Sequence, residues 1–230
     1  MIDIAKTFLD PAKVSRAALY GVSPDRQLPA NLVDDAHIPF LGFAGPQYWP
    51  GGVVLLAINP GGGGSSYQIR TPQDDQLLPL IVAFIKSSSD NSPRHFAAMS
   101  SNYAAQVRTW NLWRILAPTL EACGRELSEV AYLNCFPYRT FQDRMPQASA
   151  LRASWTNVVE PLLTGLRPST LVALGKKVGG VAERLFRGPG KLYVVPRTIG
   201  DSYVSEEARV VLARIRECQA LSSSPPHYAN

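Results

Sequence analysis

Apolar positions along the chain fall into short continuous blocks separated by stretches of helical spacing. Val53–Asn59 is apolar up to its last residue, is bounded by Gly51-Gly52 and by Pro60, and reads as a strand buried on both faces. Val130–Phe136, Thr170–Leu174 and Leu192–Val195 read as three further strands. Between and around these blocks the spacing predicts helices over Ala5–Leu19, Leu77–Ile85, Tyr103–Leu116, Ser149–Leu163, Val178–Phe186 and Ser205–Cys218. In Tyr103–Leu116 the positions Val107, Trp110, Trp113 and Ile115 recur at near-helical spacing, which makes the tryptophan pair core. Ser205 can cap the last helix, and Glu206 and Glu207 suit its positive end. The polar run SSSDNSPRHFAAMSS reads as a connecting stretch, mobile or crossing a binding face. The tail, 221–230, reads as disordered.

The order strand, helices, strand, helix, strand, helix, strand, helix predicts an α/β protein. It is a three-layer α/β/α sandwich on a central four-stranded, mostly parallel sheet, in one domain over 1–220. Ligands bind such sheets outside the carboxyl ends of the strands. Four segments should therefore share one rim: INPGGGGSSY, NCFPYRTF, LGKK and PRTIGDSY.

Composition adds limits. With 230 residues, 46% hydrophobic and 18% charged, the chain is an ordinary globular protein long enough for a sizeable core. It lacks an apolar run of the roughly 18 residues that span a bilayer. Its N-terminus lacks the apolar centre of a signal peptide, so a cytoplasmic protein without membrane partners is expected. The three cysteines are widely spaced and the three histidines dispersed, which argues against a metal site, and no cofactor is implied. The net charge of +5 and pI of about 9.2 rest mostly on arginine. That balance admits nucleic acid as a partner as readily as a plain basic surface.

The glycine run Gly61–Gly64 follows the first strand. It is not a phosphate cradle of the G-x-x-x-x-G-K-[ST] type, because Ser65-Ser66-Tyr67 follows without a lysine. Nor does it match G-x-G-x-x-G, since Ser66 stands where the last glycine belongs. What remains is an exposed backbone surface that a flat ligand can approach closely, with Pro60 stiffening the turn and Asn59 at the strand end.

At these residues the sequence resembles the uracil-DNA glycosylase superfamily. AINPGG, Ala57–Gly62, is similar to the N-P-G motif of its mismatch-specific and single-strand-selective branches, with Ala57 in place of the first glycine. AYLNC, Ala131–Cys135, is similar to the family's apolar strand ending in a base-reading asparagine, and TLVALGKKV to its next strand. The resemblance implies a monomeric enzyme that binds single- or double-stranded DNA, flips a nucleotide and hydrolyses the N-glycosidic bond of uracil or a related damaged pyrimidine. It assigns Asn59 to holding the water, the backbone at Gly61 and Gly62 to the base carbonyl, Tyr67 to stacking and Asn134 to the pyrimidine edge. Asn59 would orient the water without taking its proton, because an amide does not ionise near neutrality.

The family's third motif, often H-P-S, is absent. The corresponding stretch is VVPRTIGDSYVS, where Arg197 can supply positive charge and Ser202 can touch the DNA backbone. Arg70, Arg139, Arg144, Lys176 and Lys177 complete a possible phosphate track, with Tyr138 and Phe141 interleaving Arg139. Two rivals stay open: a catalytically silent member that binds nucleic acid or a free base, and an unrelated α/β enzyme holding a nucleotide or phosphate ester.

Overall fold

The computed structural model describes residues 3–20, 38–61, 71–140, 145–197 and 204–223. Its centre is a five-stranded sheet of order β1-β3-β2-β4-β5, formed by Gly42–Ala44, Val53–Ala57, Ala131–Asn134, Thr170–Leu174 and Lys191–Val195 numbered in chain order. Strands β3, β2, β4 and β5 run parallel, while β1 is antiparallel to β3. The four expected strands are therefore present and a fifth is added. That edge strand is three residues long and begins at Gly42 with φ 122°, too short to carry an apolar period. Every residue of β2, β3 and β4 is buried, which explains why their sequences are continuously apolar and do not alternate.

Helices cover both faces. On β5, Val194 meets Gly179 of α8 (Lys176–Leu185), while Tyr193, pointing the opposite way, hydrogen-bonds Cys218 of α9 (Glu206–Ser223). Helix α9 also packs against α5 (Trp113–Cys123), and Ser205 caps it as expected, its Oγ accepting from Ala208 N at 3.2 Å. The helix runs to Ser223, so part of the stretch expected to be disordered is helical, and 224–230 lie outside the described residues.

Three helix boundaries differ from the periodic reading. The first expected helix is two, α1 (Ile4–Ala12) and α2 (Arg16–Tyr20). The polar run after α3 (Pro72–Ile85) is not a loop, because α4 (Ser92–Val107) begins inside it. Pro93 occupies the first turn of α4, where its missing N–H costs nothing, and Phe96, Met99 and Tyr103 bury one stripe behind it. The expected Tyr103–Leu116 helix is accordingly the end of α4, a tight turn at 108–112, and the start of α5. The Ser149–Leu163 helix is α6 (Ala148–Ser154) continued through a wide turn at Trp155–Val159 into α7 (Glu160–Leu166). No helix among the described residues is long and apolar enough to cross a membrane.

The connections place the site. The chain leaves β2 toward β3 on one side, and leaves β4 toward β5 on the other. The order reverses between the neighbours β2 and β4, and in doubly wound sheets the carboxyl ends at such a switch point flank the ligand crevice. Helix α3 runs away from that rim, α4 returns to it and α5 leaves again. Gln106 near the end of α4 donates to the Gln73 carbonyl at the start of α3 at 2.9 Å, which confirms that the α4–α5 turn lies on the rim.

Candidate functional site

One lip of the crevice is built from the chain leaving β2 and β3. Cys135 N and Phe136 N donate to the Ala57 and Ile58 carbonyls at 2.7 and 2.8 Å, extending the pairing to the edge of the glycine loop. Asn59 follows, half-buried. Its Nδ2 donates to Thr140 Oγ1 at 3.0 Å and reaches the Pro60 carbonyl at 3.4 Å. A carbonyl can only accept, so the nitrogen end of the amide must face that way. Oδ1 is left as an acceptor, and among the described residues no donor reaches it.

Arg139, beside Thr140, locks the same lip. Its Nη1 and Nη2 grip Asp74 at 3.1 and 2.6 Å, and its Nε donates to the Gly61 carbonyl at 3.1 Å. The Arg139 carbonyl in turn accepts from Arg16 Nη1 at 2.9 Å. Asp74 sits in the first turn of α3, in a reciprocal cap with Thr71. Burial pushes the Asp74 carboxyl up, but the Arg139 bonds and charge together with the Thr71 bonds outweigh it, and the group lies below its ordinary value. The guanidinium also covers the Phe40 ring, 4.7 Å from its centre. Behind that ring Tyr103 and Tyr132 are buried, which pushes both hydroxyls up.

The other lip is the start of α8. Gly175 at φ 123° turns the chain from β4 into the helix, and its N–H donates to the Val195 carbonyl at 2.8 Å. A Cβ built on it would lie 3.9 Å from Arg197 Cβ, so Arg197 stands beside this turn. Its charge partly offsets the upward push that burial gives the Tyr132 hydroxyl. Lys177 is exposed, and Lys176 is paired with Glu207 of α9 at 2.7 Å.

The structure thus brings Asn59, Gly61, Arg139, Lys176, Lys177 and Arg197 to one rim, and two of the expected roles are corrected. Asn134 is 1% exposed, and its amide is spent inside the sheet. Nδ2 donates to the Phe40 carbonyl at 2.7 Å and Oδ1 accepts from Tyr132 Oη at 3.2 Å, because β1 and β2 flank it and the chain before β1 needs a donor. It is a structural tie and not a base reader. Arg139 is not a free phosphate contact, because a desolvated carboxylate holds its fork. The interleaved Tyr138 is likewise buried, its hydroxyl donating to the Val14 carbonyl at 2.6 Å. Gly62, Tyr67 and Ser202, with Arg70, Phe141 and Arg144, lie outside the described residues.

Asp74 and Thr140 are the site residues that sequence reasoning missed. Thr71-Pro72-Gln73-Asp74 has the spacing of a capping box preceding an apolar run, so the start of α3 was readable. The cross-chain partners of Asp74 and Asn59 carry no local signal. Among the described residues no group of three or more histidine, cysteine, aspartate or glutamate side chains could hold a metal ion.

No protein-family model matches the chain, and no curated protein matches it significantly.

Proposed function

We propose that the crevice between β2 and β4 is the active site of a DNA N-glycosylase that removes uracil or a related damaged pyrimidine. The observation that carries this reading is the clamped amide of Asn59. Its nitrogen is held by Thr140 and the Pro60 carbonyl, so Oδ1 is presented as an acceptor at the end of the central strand. An acceptor held there orients a water by accepting a hydrogen bond from one of its O–H groups, leaving a lone pair of the water for the sugar. The C–N bond breaks first, its electron pair leaving with the base. The water oxygen then bonds to the sugar carbon and releases a proton to solvent or to the departing base. The exposed backbone at Gly61 faces the base, and the positive charge of Arg197 opposes the negative charge that builds on it.

A binding protein without catalysis is favoured by one observation. Asp74, a carboxylate of this lip, and Asn134, which the resemblance assigns to the base, are both committed to internal partners. Uracil-containing single- and double-stranded oligonucleotides, followed by alkaline cleavage of abasic sites, separate the two. Excision lost in Asn59→Ala supports the enzyme; salt-sensitive binding without strand breaks supports the binding protein.

A further inference from the structure

The two tryptophans of the α4–α5 turn were expected in the core; they pack against it only partly buried, on a turn that lies at the rim. In Arg108-Thr109-Trp110-Asn111-Leu112-Trp113-Arg114 two arginines flank two tryptophans around one buried anchor, Leu112. Trp110 and Trp113 are only partly buried, and Arg108 and Arg114 are exposed. Trp110 rests edge-on against Tyr103 and Tyr132 at 6.2 and 6.3 Å between ring centres. Its position is therefore next to the aromatic residues beneath the Asn59 lip. The Arg108 guanidinium lies 5.1 Å from the centre of the Trp113 ring.

The turn is stiff. Thr109 N donates to the Gln106 carbonyl at 2.8 Å, Trp110 N to Val107 at 3.2 Å and Trp113 N to Trp110 at 2.9 Å. Thr109 Oγ1 adds a bond to the Gln106 carbonyl at 2.7 Å. Among the described residues its cations meet no carboxylate, and Arg108 lies instead against the Trp113 ring. Arg125, Arg139, Arg209 and Arg216 each meet a carboxylate, whereas among the described residues no carboxylate lies within ion-pair distance of Arg108 or Arg114. Two indoles and two guanidiniums that meet no carboxylate among the described residues, on a rigid turn, match the chemistry of a single strand, which offers unstacked base faces and spaced phosphates together. A duplex offers the phosphates but keeps its base faces stacked away from the indoles.

We propose that residues 108–114 form a stacking platform for single-stranded DNA at the mouth of the crevice. Bases lie on Trp113 and Trp110, and phosphates on Arg108 and Arg114. The proposal rests on the reading above in taking the rim to face DNA, and it adds the strand form.

The test is fluorescence anisotropy of the full chain with a labelled, undamaged oligothymidine, and with the same strand as a duplex, so that no excision is needed. The single strand binds about tenfold or more tightly than the duplex, and Trp113→Ala removes about tenfold of single-strand affinity with little change for duplex. Trp113→Tyr restores most of it, which separates lost stacking from a misfolded variant. Arg108→Gln and Arg114→Gln each lower the salt dependence of single-strand binding by about 0.7 in the log–log slope. Equal affinity for both strand forms, or unchanged binding by Trp113→Ala, overturns the platform. If excision occurs while Trp113→Ala binds normally, the platform fails and the glycosylase reading stands. If Trp113-dependent binding occurs without excision, the reverse holds. Absence of both binding and excision ends both.

Discussion

Replacing Arg139 with methionine tests whether the rim is held by a buried ion pair. The Asp74 side chain is 5% exposed and that of Arg139 is 21%, and their bonds measure 3.1 and 2.6 Å. Removing one partner of a buried pair costs about 3–5 kcal/mol, because the other charge is stranded. Arg139 is partly solvated and Asp74 keeps the Thr71 N–H at 3.0 Å, which puts Arg139→Met near the low end, about 3 kcal/mol. Asp74→Asn removes the stranded charge and leaves an arginine that can turn to solvent, so it costs less, about 1–2 kcal/mol. The double variant should then be no less stable than Arg139→Met alone. Urea unfolding midpoints of the four proteins supply the cycle.

The sign of the pH dependence is a second check on the same pair. In the native protein the Asp74 pKa is depressed, so its stabilisation is present above the unfolded carboxylate value near 3.9 and fades as pH falls through the lower folded value. In Arg139→Met burial is opposed only by the Thr71 bonds, so the Asp74 pKa rises relative to the native protein and this acid-range loss shrinks or reverses. Simple additivity of the two single variants, together with an unchanged acid limb, would refute the assignment.

Other expectations follow from single contacts. Thr140→Val leaves the Asn59 nitrogen without its partner at 3.0 Å, so excision should fall about tenfold or more while the melting temperature moves by only a few degrees, read by single-turnover kinetics and a thermal scan. Gly179→Ala drives a Cβ to 2.2 Å from Val194 Cγ1 between α8 and β5, and should cost about 1–3 kcal/mol in urea unfolding. Pairing it with Val194→Ala should recover part of that loss. Burial pushes the Cys123 and Cys135 thiols up to about 12, so the native protein near pH 8 should take up a thiol reagent at the half-exposed Cys218 alone, with all three reacting after unfolding, counted by mass spectrometry.

The sheet was legible because β2, β3 and β4 are buried on both faces and read as unbroken apolar blocks, and the partly exposed β5 still carries a short apolar run. Thr170–Leu174 matched to the residue, and the order of strands and helices implied the doubly wound arrangement. Gly42–Ala44 was not legible, because an edge strand of three residues joins the sheet through β3 and not through its own pattern. The start of α4 was obscured by serines and asparagine, although Phe96, Met99 and Tyr103 held the helical stripe. At the candidate site, Asn59 was singled out because a glycine run after a strand is a local signal. Asn134 was assigned to the base because Ala131–Cys135 resembles the superfamily's apolar strand ending in a base-reading asparagine. Its burial depends on the Phe40 carbonyl and Tyr132 hydroxyl, and Phe40 lies 94 positions away. Arg139 was misread for the same reason, since Asp74 is brought to it only by the fold.

The central claim is that Asn59, clamped by Thr140, positions the water for base excision. Its most direct measurement is single-turnover release of uracil from a labelled single-stranded oligonucleotide by the native protein, Asn59→Ala and Thr140→Val. Release by the native protein, reduced about a hundredfold or more in Asn59→Ala and partially in Thr140→Val with all three proteins folded, is the predicted result. Release that persists unchanged in Asn59→Ala, or no release from any pyrimidine lesion by the native protein, would contradict it.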